Sequence, residues 1–139
     1  MSKTDTPKTN NILVDDTGQA IDLTNYAGFK PLVDFKTYKK TRTLLLEVID
    51  NQLEPITKAG DVLLLDNINH FAGDGVYALD LSAEGKVIET QILAQVKEVK
   101  RDLVTLYELT KPGTNYPSRV FMTSQIRFLG KAIGVIVGK

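Results

Sequence analysis

Val62-Leu63-Leu64-Leu65, closed by Asp66-Asn67, is followed by Gly73-Asp74-Gly75 and a second apolar run, Val76-Tyr77-Ala78-Leu79-Asp80-Leu81. Together these two pieces decide how the chain is read. Each is a short apolar burst bounded by residues that turn the backbone. Glycine does so because it takes positive φ at little cost, and aspartate and asparagine because their side chains bond nearby backbone groups. Such bursts read as strands joined by tight turns.

The same rhythm extends in both directions. Upstream lie Ile12-Leu13-Val14, Ala20-Ile21-Asp22-Leu23, Pro31 to Asp34 and Thr43 to Ile49. Downstream, strands are expected over Lys86 to Val99, with breaks, and over Leu103 to Leu109, Arg119 to Met122 and Ile126 to Val137. Ala83-Glu84-Gly85, Arg101-Asp102 and Lys111-Pro112-Gly113 separate them. Val87 to Val99 alternates only in part, as a long bent strand or one with a bulge would; its Ala, Gln, Glu and Lys content also suits a helix, the competing reading. No 3.6-residue apolar period is sustained over several turns, so helix should be sparse. The expected fold is mainly β, with antiparallel pairing.

At 139 residues the chain suits one domain, taken as 12–139, behind a polar tail over 1–11. Seventeen basic and seventeen acidic residues balance, so no overall field holds the protein on nucleic acid or an anionic membrane. The absence of cysteine excludes disulfides, a thiolate nucleophile and cysteine-ligated zinc, and suits a reducing cytoplasm. The apolar runs are too short to cross a bilayer as helices, and no signal-peptide core follows Met1. A cytoplasmic location is the expectation.

Most polar clusters have ordinary explanations. Lys36 to Arg42, and Lys97 with Lys100 and Arg101, read as solvated hairpin tips. The single histidine, His70, reads as a loop residue, because a lone imidazole makes no ordinary zinc site. Ser82, Ser118 and Ser124 sit in no nucleophile motif. Asp61, Asp66 and Asp74 fall at turn and strand ends, where carboxylates cap backbone. Neither a cofactor nor a metal is expected.

One segment carries more. In Asp50-Asn51-Gln52-Leu53-Glu54-Pro55, followed by Gly60-Asp61 and the strand ending at Asp66, the frame resembles the active-site segment of the LexA, UmuD and phage-repressor family. Gly73 to Leu79, Asn115-Tyr116-Pro117 and Phe128-Leu129-Gly130-Lys131-Ala132-Ile133-Gly134-Val135-Ile136 resemble three further family segments in the same order. The resemblance spans Leu44 to Val137. It implies the twisted, partly closed antiparallel sheets of that fold, which is shared with membrane-anchored signal peptidases.

The family's catalytic serine falls on Gln52, and its unprotonated lysine base near Thr90, with Glu89 and Gln91 beside it. A carboxamide is no nucleophile, because its nitrogen lone pair is delocalised into the carbonyl. Lys86 and Lys97 lie out of register for a base. Family members cut themselves at Ala-Gly or Cys-Gly; Ala27-Gly28 has that form, although Tyr26 to Phe29 also reads as a plain turn.

The resemblance therefore implies a catalytically silent module for self-association and protein binding. It is similar to a phage or prophage repressor's C-terminal domain, with roles in transcription regulation and lysogeny. Its expected partners are a homodimer or higher homo-oligomer and an antirepressor or other regulatory protein, with no direct contact to nucleic acid or membrane. The alternatives are a UmuD-like accessory subunit of a translesion polymerase and an active self-cleaving peptidase. Ile133, Val135 and Val137 are the candidate self-association residues if their strand lies at an edge; an internal strand is the other placement.

Overall fold

The computed structural model describes residues 12–14, 20–22, 28–34, 36–38 and 42–138. The polar segment 1–11 and Ala27 lie outside them. Among the described residues ten strands follow in order: β1 (Ile12–Val14), β2 (Ala20–Asp22), β3 (Phe29–Pro31), β4 (Thr43–Glu47), β5 (Val62–Asp66), β6 (Gly75–Ala83), β7 (Lys86–Arg101), β8 (Val104–Thr110), β9 (Arg119–Met122) and β10 (Ile126–Ile136). A 3-10 turn at Thr123–Gln125 joins the last two. The expected mainly β class with little helix is the class observed.

β1 and β2 form a hairpin, and the other eight strands make one antiparallel sheet that does not close into a barrel. Its order is β4-β5-β10-β6-β7-β8-β9, with β3 also paired to β10. β10 is the centre. On one side Lys131 to Ile136 pairs with β5; on the other Ile126 to Lys131 pairs with β6, and Gly134 to Ile136 with β3. Ile133 and Val135 are 0 % exposed, so they offer no surface to a partner. Of the two placements the sequence left open, the internal strand is the one observed. Only Val137, just past the strand, is partly exposed.

The apolar run of β5 is explained by cover on both faces. Leu63 and Leu65 join Val48, Leu53, Val76, Ala78, Ala132 and Val135 in one cluster, whereas Leu64 turns to Ile133 on the other face. A further cluster, built on Tyr77, Leu79, Leu81, Val96, Leu109 and Phe128, fills the far half of the sheet. There Tyr77, Phe71 and Tyr107 surround Phe128, with ring centroids 4.7 to 6.0 Å from it. Spacings in this range suit tilted aromatic pairs, which add to the stabilisation from burial.

The expected turns on either side of β7 form, the second of them shifted by one residue. Glu84 and Gly85 both take positive φ between β6 and β7, the backbone a two-residue hairpin favours. Between β7 and β8 the positive-φ pair is Asp102 and Leu103, the latter fully solvent-exposed, so β8 begins only at Val104. β7 runs unbroken for 16 residues, which rules out the competing helix. It carries a bulge: Leu79 faces Ile92 but Leu81 faces Glu89, so an extra β7 residue is accommodated around Thr90 and Gln91.

Candidate functional site

The segment after β4 folds as a compact turn held by its own polar side chains. The Asp50 carboxylate accepts the Gln52 N–H at 3.1 Å, and the Asn51 side-chain oxygen accepts the Ala59 N–H at 2.8 Å. Asp61 accepts from the Lys58 N–H at 2.9 Å and the Gly138 N–H at 2.8 Å, tying the turn to the chain beyond β10. Leu53, buried in the core beside Val48 and Leu63, anchors the middle. The Glu54-Pro55 bond is cis.

A second loop clamps this turn. The Gly113 N–H donates to the Gln52 carbonyl at 2.8 Å, so Lys111-Pro112-Gly113 lies directly on it. A β-carbon on Gly113 would stand 2.1 Å from the Asn51 carbonyl oxygen and 2.9 Å from the Glu54 nitrogen. Both obstacles are backbone, so no rotamer change relieves them. Gly113→Ala is expected to cost about 1–3 kcal/mol, the usual range for overpacking, and to detach the loop. Chemical denaturation, with amide exchange at Gly113, checks both effects.

Between the turn and β7 lies a cleft of about 360 Å³, lined by Gln52, Leu53, Gln91, Ile92 and Lys111 together with the end of β4. The bulge decides which β7 residue enters it. Gln91 has φ +52, and its N–H donates to the Asp80 carboxylate at 2.8 Å. Gln91 therefore shares the cleft with Gln52, and Thr90, the position the family frame suggested, does not line it. Both of these side chains are uncharged carboxamides, and neither can attack a carbonyl or take a proton from a neighbour.

A second cavity of about 360 Å³ adjoins the first, sharing Ile92 and Lys111 as walls. Its lining is mainly apolar, from Ala94, Leu109, Tyr116 and Pro117. Arg119 and Glu89 bridge its rim at 3.4 Å; being exposed, this pair adds little stability. Cleft and cavity both border β7.

The remaining candidate residues lie apart from the cleft. Ser82 Oγ donates to the Gln125 carbonyl at 3.4 Å and Ser118 Oγ to the Glu108 carboxylate at 2.8 Å. His70 is an exposed loop residue beside Asn67, Asn69 and Arg127. No group of three or more metal-ligating side chains occurs among the described residues. Gly28, with φ +80, precedes β3, and its carbonyl accepts the Val137 N–H at 3.1 Å; it does not line the cleft.

One polar centre was not anticipated from sequence. Lys131 of β10 is buried; its amine donates to the Ala72 carbonyl and lies 5.3 Å from the Tyr38 ring and 5.8 Å from that of Tyr77. Burial pushes this amine below its ordinary pKa, partly offset by attraction to Asp74 and Asp66. The Tyr38 hydroxyl donates to the fully buried Asp66 at 2.6 Å, and burial, reinforced by that bond, raises the phenol's pKa. Tyr77 is pushed up to about 12, chiefly by burial; its oxygen accepts the Ala72 N–H and its hydroxyl donates to the Gly73 carbonyl.

Gly73 and Gly75 wrap the lysine, and a β-carbon on Gly75 would lie 3.1 Å from Lys131 Cε. The motif Gly73-Asp74-Gly75 is thus a collar around a buried ammonium. The signal in the sequence was a lysine inside an otherwise apolar strand, between Gly130 and Ala132. Comparison with known proteins finds no family model that matches this chain and no curated protein similar to it.

Proposed function

We propose that this chain is a catalytically silent assembly and protein-binding module, of the kind a LexA-like repressor domain becomes once its nucleophile and base are gone. The observation that carries this reading is the pair of carboxamides, Gln52 and Gln91, facing one cleft. In the family the resemblance points to, a serine and a lysine do the cutting; two amides instead leave hydrogen-bond donors and acceptors suited to an extended backbone. The adjoining cavity around Leu109 and Tyr116 offers an apolar side chain a place to enter. Under this reading the module serves transcription regulation, holding repressor chains together and receiving a regulatory protein.

Prolonged incubation of the full chain at alkaline pH, followed by intact-mass measurement, tests the catalytic half of the reading. The expected result is one species at the 15.4 kDa chain mass. A time-dependent fragment ending at Ala27 would establish self-cleavage and sink the proposal.

A further inference from the structure

The cavity beside the cleft has an apolar floor and a charged border. Leu81, Ala94 and Leu109, all buried, make the floor. Its volume of about 360 Å³ falls within the range of about 300–1,000 Å³ that small-molecule pockets occupy. Charge is confined to three lining residues, Glu89, Lys111 and Arg119. Arg119 is already engaged: its guanidinium bridges Glu89 at 3.4 Å and lies 4.9 Å from the Phe121 ring. The Lys111 ammonium has no ion-pair or hydrogen-bond partner among the described residues. With two cations and one anion, the lining carries one positive charge in excess.

We infer that this cavity binds a compact apolar molecule bearing a single carboxylate, its body on Leu81, Ala94 and Leu109 and its head on Lys111. The charge count selects the head group. One carboxylate cancels the excess, whereas a phosphate monoester, carrying about −1.5 to −2 at neutral pH, would overshoot it beside Glu89. A cationic ligand would meet the unpaired ammonium as a like charge. An uncharged apolar one would strip water from that ammonium and give it no partner in return.

The backbone argues against a peptide strand in the same cavity. β8 pairs with β7 only over Gln95 to Arg101, so among the described residues no strand lies on the outer edge of β7 from Lys86 to Ala94. Strand addition there needs an unbroken run of backbone groups. The bulge around Thr90 and Gln91 interrupts that run, and Gln91, at φ +52, turns its N–H to the Asp80 carboxylate of β6. A ligand without a backbone has no such requirement. The inference goes beyond the proposed function and does not depend on it. Where both hold, the ligand fills the place offered to a partner's apolar side chain, so that occupancy by one excludes the other.

Amide nuclear magnetic resonance on the full chain, titrated with octanoate and with phenylbutyrate, tests the site. The expected result is a saturable shift at Ile92, Ala94 and Leu109 with at least one of the two. The corresponding alcohols, octanol and phenylbutanol, keep the apolar body without the charge and should bind about tenfold more weakly, as should butyrate, which keeps the head and loses most of the body. Lys111→Gln should weaken carboxylate binding to the level of the alcohol with unaltered far-UV circular dichroism, Lys111→Arg should restore it, and Lys97→Gln, on β7 outside the cavity, should leave it unchanged. If Lys111→Gln disturbs folding, the comparison of acid with alcohol on the wild type still decides. No saturable shift at these amides with either acid overturns the proposal, and so does an alcohol that binds as tightly as its acid or a folded Lys111→Gln variant that binds as the wild type does.

Discussion

Val135→Lys is expected to abolish the folded state at room temperature. The side chain is 0 % exposed, in a strand paired on both sides, and packs with Leu63 and Ala132. Placing an ammonium there costs several kcal/mol even after relaxation, and the lost valine burial adds about 1.5–3 kcal/mol. Against a total stability of about 5–15 kcal/mol, this removes most or all of the margin. Far-UV circular dichroism and the loss of a cooperative urea transition would report it. Val137→Lys, two positions on and partly exposed, should change stability by no more than about 0.5 kcal/mol. The contrast separates burial from association: a changed mass for the Val135 variant would reflect unfolding.

Lys131→Ala comes next, with an expected loss of about 3 kcal/mol. The substitution empties the space inside the Gly73 to Gly75 collar and deprives the Ala72 carbonyl of the lysine donor. It also removes the cation near the fully buried Asp66. Truncation of a long buried side chain and loss of a charged hydrogen-bond donor each account for part of the cost. Lys131→Met keeps much of the stem, so its loss should be nearer 1–2 kcal/mol, attributable to the unsatisfied carbonyl. Urea denaturation of both variants at neutral pH measures the difference. Equal losses would mean that the stem contributes nothing and the amine alone matters, whereas an unchanged stability of the Met variant would mean the reverse.

Local patterning carried most of the strand assignment. Arg119 to Met122 is found as read, Ile126 to Val137 differs by one residue, and Val62 to Leu65 gains only Asp66. Early in the chain the reading slips, with Pro31 to Asp34 replaced by Phe29–Pro31; only one further bond to β10, from the Leu32 N–H to the Ile133 carbonyl, follows before the chain turns at Asp34. What could not be read was non-local. Ile133 and Val135 look alike in sequence whether their strand is central or at an edge, and only the pairing of β10 with β5, β6 and β3 makes them interior. The presence of Gln91 in the cleft that Gln52 lines escaped for a different reason: the bulge shifts the phase of alternation at Thr90, and no glycine marks it. Lys131 was passed over because a lysine is ordinarily expected in water, whereas its partners, Tyr38 and Ala72, are 93 and 59 residues away in sequence.

The position of β10 also governs when the sheet can assemble. β5 and β6 do not touch through their backbones; each bonds to the strand between them, and that strand is made after both. While a ribosome is still extending the chain short of Ile126, the Leu63 to Leu65 segment has no neighbour on its inner side, and its apolar surface stays open to chaperones or to other nascent chains. Such long-range closure is slow compared with local hairpins, so the interval between synthesis and completion of the core is when this protein is most vulnerable to aggregation.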